Sequence, residues 1–226
     1  MNMNMFEQFM SPELIFIPMT PLFILLPTLL LPHEPKLLGN RIISSITWAL
    51  KKFTFNMTSQ LPLKGQKWSR LLVSLFILIL LSNLLGLLPY TFTPTSQLSM
   101  NMALAIPLWL ATIITGMKDK PSTSLAHLLP EGSPTPLIPF MIVIETVSIL
   151  MRPIALGVRL TANITAGHLL ISMVSSASIN LILPYTPLSL LTLILLLLLT
   201  ILELAVACIQ AYVFTLLIIL YLEENS

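Results

Sequence analysis

Residues 188 to 222, LSLLTLILLLLLTILELAVACIQAYVFTLLIILYL, carry one charged side chain, Glu203, in a run that no water-facing fold can cover. About 20 apolar residues cross a bilayer as a helix, and a helix lets a single segment satisfy its own backbone inside hydrocarbon. Residues 137 to 178 form a second long apolar stretch. At 1.5 Å per residue each would run roughly 50–60 Å, well beyond a hydrocarbon core of ~30 Å, so both must tilt steeply, bend or break. Pro153, Gly157 and Gly167 mark places where the first of them could bend. Composition agrees, with 56% hydrophobic and 9% charged residues where soluble domains carry about 25% charged. The expected fold is an all-α polytopic membrane protein of about five crossing helices and one amphipathic surface helix. The last two helices should be long and steeply tilted.

The remaining segments read as parts of a single membrane domain spanning 1–226. Within an N-terminal segment 1–35, residues 14 to 31 are long enough to cross but contain Pro18, Pro21 and Pro27, which points to one kinked span. The start, MNMNMFEQFM, has neither a basic secretory region nor an Arg-rich amphipathic stretch, so no cleaved targeting peptide is expected. A basic segment, 36–68, follows. Inside it, over 40–55, Ile42, Ile46, Ala49, Leu50 and Phe53 recur at helical spacing opposite Arg41, Ser44, Ser45, Lys51 and Lys52, the pattern of a helix lying in the headgroup plane. Residues 69–117 should form a helical hairpin about the uncharged turn YTFTPTSQ, and 118–136 a loop dense in proline, serine and threonine. The long hairpin 137–222 and an acidic tail, 223–226, complete the chain. Cys208 is the single cysteine, which excludes an intramolecular disulfide.

Orientation follows from the basic residues. Lys36, Arg41, Lys51, Lys52, Lys64, Lys67 and Arg70 lie between the first two spans, and Lys118 and Lys120 lie two crossings later on the same side. The connections near 90 to 96 and 179 to 187 are uncharged. By the positive-inside rule the basic face is cytoplasmic or, in a mitochondrion, the matrix, which puts the N-terminus outside and Glu223 and Glu224 inside.

Arg159 is the residue that most demands explanation. It stands in RPIALGVRLTANITAGHLL with no acidic residue after it until Glu203. A guanidinium at mid-bilayer costs roughly 2.5–3.5 kcal/mol even on insertion scales, and it cannot shed its proton. If the last two helices fold back near residue 183, Arg159 lies level with Cys208 to Gln210, Asn163 with Glu203 and Leu204, and Glu145 with Leu222 to Glu224. His168, Asn163 and Glu203 then lie toward the outer turn, Glu145, Glu223 and Glu224 toward the inner face, and Arg159 with Gln210 between them. Proton-accepting groups on both sides of a fixed cation point to two separate aqueous half-channels. Bland readings compete: Arg159 as a structural partner of Glu203 or Gln210, Arg152 snorkelling to the basic face, His168 as an ordinary core histidine, and Asn163 and Gln210 as interhelical glue.

The motif RPIALGVRLTANITAGHLL, with Glu203 and Gln210 downstream, resembles the signature region of subunit a of the proton-translocating ATP synthase in its animal mitochondrial form. The likeness extends over the whole chain. It implies a non-catalytic stator whose tilted helical pair wraps a rotating ring of hairpins, subunit c, each bearing one carboxylate, with peripheral-stalk and other membrane subunits as neighbours. In this resemblance Arg159 is the essential cation; Glu203, His168 and Asn163 serve proton uptake; Glu145, Glu223 and Glu224 serve release; Gln210 and Arg152 support them. Bacterial members often place an acid where His168 stands and a histidine where Glu203 stands, so the two types look exchanged. The implied setting is the mitochondrial inner membrane, with the N-terminus on the intermembrane-space side. No cofactor, metal or nucleic-acid partner is expected; His33 and His127 stand outside the spans, and there is no phosphate-binding loop. The competing classes are a proton-coupled secondary transporter and a structural subunit of a respiratory complex. No inverted repeat supports the former, and the latter needs no arginine at mid-depth.

Overall fold

The computed structural model describes residues 9–14, 17–30, 41–59, 65–88, 91–119, 121, 137–182, 184 and 186–225. The expected features at the extreme N-terminus, in the basic stretch 31–40, at Lys64 and Lys120, and in the loop 122–136 with His127 lie outside the described residues. Two short antiparallel strands, β1 (Glu13–Leu14) and β2 (Ile17–Pro18), pair Glu13 with Pro18 and Leu14 with Ile17. Among the described residues six helices follow: α1 (Thr20–Leu30), α2 (Arg41–Thr58), α3 (Ser69–Gly86), α4 (Leu98–Asp119), α5 (Ile138–Ile182) and α6 (Thr186–Asn225). Short 3₁₀ turns at Gly65–Trp68 and Pro94–Ser96 lead into α3 and α4.

Among the described residues four helical segments are long and apolar enough to cross a bilayer: Gly65–Gly86, Leu98–Lys118, Ile138–Ile182 and Pro187–Glu224. Over 14 to 31 the described residues form β1, β2 and α1 rather than one continuous kinked helix. The 11 residues of α1 run roughly 16 Å, part of a ~30 Å core, and the stretch 31–40 that follows lies outside the described residues. Proline explains the break. Pro18 offers no N–H to continue a helix, whereas Pro21 sits in the first turn of α1, where that N–H has no intrahelical partner anyway.

α5 and α6 span 45 and 40 residues, roughly 68 and 60 Å. They exceed the lengths the sequence pattern predicts. α5 runs as one unbroken helix through Pro153, Gly157 and Gly167. Proline removes one hydrogen bond from the ladder, but ending the helix in hydrocarbon would strand many more backbone groups.

The chain forms two compact units. One comprises Met1–Leu31, Ile77–Met100 and Arg159–Tyr212; the other Pro32–Phe76, Asn101–Val158 and Val213–Ser226. In the first, Ile79, Ser82, Asn83 and Gly86 recur at helical spacing on the buried face of α3, and Leu160, Thr161 and Ile164 on that of α5. The Thr91 hydroxyl donates to the carbonyls of Leu85 at 2.8 Å and Leu88 at 2.7 Å, capping the end of α3. Phe92 then turns inward and meets Phe23 of α1 edge to face, ring centres 5.6 Å apart. Gly86 permits this return of the chain, because a Cβ there would stand 2.7 Å from the Thr93 methyl.

In the second unit Phe53 of α2 stacks on Phe76 of α3 at 4.2 Å, fixing the amphipathic helix to a membrane span. Arg41, Ser44, Ser45, Lys51 and Lys52 are exposed and Leu50 and Phe53 half-buried, as the amphipathic pattern requires, whereas Ala49 of the apolar face is exposed; the side chains of Ile42 and Ile46 lie outside the described residues. Phe214, Ile218, Ile219 and Leu222 give the buried stripe of α6 in this unit, with Phe214 wholly enclosed. Phe214→Ala should lower the melting temperature of the solubilised protein clearly, and Phe214→Leu less. In lipid the packing loss persists while the water-transfer part disappears, so the cost should fall below the roughly 3–5 kcal/mol of a soluble core.

Candidate functional site

In the first unit, α5 and α6 bring His168 and Glu203 together. The His168 Nε2 lies 3.8 Å from Glu203 Oε1, with 21% and 9% of the two side chains exposed. Neither carboxylate oxygen of Glu203 has a hydrogen-bond partner within the protein. Burying a carboxylate this way is costly unless water, a proton or a cation attends it. Gly167 makes room for the arrangement: a Cβ at this position would stand 2.6 Å from Glu203 Oε1. The ring of Phe9, from the N-terminal segment, lies edge-on to His168 with centres 6.5 Å apart.

One turn or more further along the same helices, Asn163 Nδ2 donates to Gln210 Oε1 at 2.9 Å. Two cavities meet the His168–Glu203 pair. The wider, of about 1020 Å³, is walled largely by apolar side chains including Met19, Phe23, Leu87 and Phe92. The narrower, of about 10 Å³, is lined by Asn83, Asn163 and Gln210 together with His168 and Glu203. A space of that size holds about one water. Asn83 is buried with neither side-chain oxygen nor nitrogen hydrogen-bonded within the protein, so its amide is available to such a water. His168, Glu203 and Leu87 line both cavities, the wide chamber and the narrow throat.

Arg159 stands apart from that network. It is exposed on α5, and among the described residues its guanidinium makes no hydrogen bond or ion pair. Of the candidate partners, Gln210 accepts from Asn163 instead, and the Glu203 carboxylate lies 3.8 Å from His168, beyond hydrogen-bond reach. Ala162 and Ala166, three and seven residues on, are also exposed, so the surface beside the cation is low. Small residues on a membrane helix allow another helix to approach closely.

In the second unit Arg152 is the hub. Its Nη1 donates to Glu224 Oε2 at 2.8 Å, its Nη2 lies 3.9 Å from Glu145 Oε1, and its guanidinium carbon sits 5.2 Å from the Tyr221 ring centre. Arg152 therefore does more than snorkel. Glu223 is exposed and, among the described residues, has no partner. With 31% of the Arg152 side chain and 54% of that of Glu224 exposed, the pair is screened. A double-mutant cycle of Arg152→Gln and Glu224→Gln, read from thermal stability, should give a coupling of about 0.2–1 kcal/mol.

The pairings depart from the equal-depth levels of the sequence. Asn163 meets Gln210 rather than Glu203, Gln210 lies with it rather than with Arg159, His168 takes Glu203, and Arg152 rather than Glu145 reaches Glu224. Equal-depth arithmetic assumes parallel axes and ignores the angular position of each side chain around its helix, which decides the partner. Asn83, Phe9 and Tyr221 escaped the sequence reading. Asn83 did leave a signal, a lone amide in LLSNLLGLLP, whereas nothing local marks Phe9 or Tyr221.

A family model described as ATP synthase A chain matches residues 12–223. The chain is similar to the ATP synthase F(0) complex subunit a of Lycodon semicarinatus, 70% identical over 226 residues with all of both chains covered. The subunit a of Struthio camelus is 59% identical and that of Ovis aries 52% identical, each likewise over the full length of both chains.

Proposed function

The chain belongs to the ATP synthase A chain family, and on that premise we propose how its residues carry out the work of the proton-conducting stator subunit. It is a multi-pass membrane protein of the F(0) complex that transports protons and performs no catalytic chemistry of its own. ATP chemistry therefore belongs to other chains of the complex.

The observation that carries the reading is Arg159, exposed on a low helical surface and, among the described residues, unpaired, set apart along α5 from the His168–Glu203 pair. Its missing counter-charge comes from outside the chain, from the carboxylates of a rotating ring of helical hairpins, subunit c. A carboxylate 4 Å from a guanidinium gains roughly 4 kcal/mol at an effective dielectric of 20, about three pKa units toward its ionised form. A rotor site passing Arg159 releases its proton. Because arginine neither gives up nor accepts a proton in this range, it also bars direct leakage between the two aqueous routes.

On the uptake side, protons reach the His168–Glu203 pair through the wide chamber and continue through the throat, where Asn83, Asn163 and Gln210 hold a water in line. The neutralised rotor acid then turns through lipid. On the release side, Glu145, Glu223 and Glu224 offer acceptors, and Arg152 keeps Glu145 and Glu224 grouped. The vertebrate relatives point to the mitochondrial inner membrane, and the basic residues put Lys51, Lys52, Lys67, Arg70, Lys118 and the C-terminus on the matrix side, the N-terminus on the intermembrane-space side. Peripheral-stalk and other membrane subunits hold the stator against the turning ring.

Arg159→Gln should abolish ATP-driven proton pumping in vesicles while the complex still assembles; coupled pumping at the normal rate would defeat the reading. Asn83→Leu should slow passive proton uptake through the membrane sector severalfold with assembly intact, since it strips the throat of an amide and adds an apolar surface. Unchanged uptake in that variant would remove Asn83 from the route.

A further inference from the structure

A file of water needs a passage only a few ångströms across, yet the chamber outside Glu203 measures about 1020 Å³. Sites that enclose organic ligands occupy roughly 300–1,000 Å³ and combine apolar walls with a few placed polar groups. This chamber has that character. Phe23, Phe92, Leu87 and Leu204 supply apolar surface, Ser172 and Thr200 add hydroxyls, and Glu203 and His168 stand at one wall. Glu203 is 7% exposed, and both its oxygens lack a hydrogen-bond donor from the protein. The second cavity against Glu203, about 10 Å³, has room for nothing larger than one water.

We propose that the chamber is a binding site for small amphiphilic cations: a protonated amine carried on one aromatic or alkyl body. The ammonium group donates to the Glu203 carboxylate, and the body lies among Phe23, Phe92, Leu87 and Leu204. Charge sets the selectivity. An anion meets the buried carboxylate, and a neutral body of the same shape leaves that carboxylate as it was, so neither gains what the amine gains. An occupant of this kind is not carried across the membrane, because the throat excludes it. It displaces the water that feeds Glu203 and so blocks uptake. The proposal rests on reading Glu203 as an ionisable group of the uptake route.

The test uses the intact ATP synthase in lipid nanodiscs and a matched pair of probes, labelled 4-butylbenzylamine and neutral 4-butylbenzyl alcohol. Saturable binding of the amine is expected, with the alcohol binding much more weakly. Glu203→Gln should weaken amine binding by about thirtyfold or more, as losing one partner of a buried charge pair does, and leave the alcohol unchanged. Ser172→Phe, which fills the chamber while keeping the acid, should also remove the saturable amine binding. Equal, non-saturable partitioning of both probes, or amine binding indifferent to Glu203→Gln, would overturn the site. Passive proton uptake in the same preparations, without probe, separates the two ideas. If Glu203→Gln slows uptake but the amine does not bind, the ligand site alone fails; if uptake is unaffected, the route reading fails whatever the amine does.

Discussion

A permanent positive charge placed in an apolar helix, with no counter-charge among the described residues, is the constraint around which the rest of this protein is arranged. Arg159 carries a cost of at least roughly 2.5–3.5 kcal/mol at mid-bilayer, while Gln210 bonds to Asn163 and Glu203 lies toward His168 instead. The fold withholds Glu203 and Gln210 from the arginine and turns the arginine outward. On the proposed reading, in which Arg159 works against a moving acid, this is the useful arrangement, because an internal salt bridge would compete with that acid for the same cation.

Two ways of handling charge in a membrane coexist here. Around Arg152, the acids Glu145 and Glu224 and the face of Tyr221 form a partly exposed cluster, where screening makes each contact weak. Around Glu203 the solution is enclosure: an imidazole at 3.8 Å, a glycine that lets the carboxylate lie against α5, and a cavity on either side. The first suits acids that exchange readily with bulk water. The second suits a group through which a proton must pass singly.

Helix length serves the same end. At 45 and 40 residues α5 and α6 are long enough to present several polar levels in succession along one pair of elements. Their buried residues, Leu156, Leu160 and Ile164 on α5 and Ala207, Ala211, Phe214 and Ile218 on α6, recur at spacings of three and four, which holds the polar residues in fixed register. The amide pair Asn163–Gln210 is one such level and His168–Glu203 another.

Much of this was written in the chain itself. Unbroken hydrophobic runs dictate membrane helices because hydrocarbon tolerates no unpaired backbone, and two arginines, a histidine and two acids inside those runs stand out because each is expensive there. Amphipathic spacing likewise identified α2. What the sequence could not settle was anything that depends on the angular setting of one helix against another. Depth along an axis follows from counting residues, but whether Glu203 meets Asn163 or His168, whether Arg152 reaches Glu224, and whether Asn83 lines the throat depend on which way each side chain points once the helices pack. The N-terminal region differed for a related reason: three prolines are compatible with a kinked helix or a turn followed by a short one, and only its packing, with Phe23 against Phe92, selected the latter. Local chemistry determined the elements and their cost in lipid; tertiary contact chose the partners.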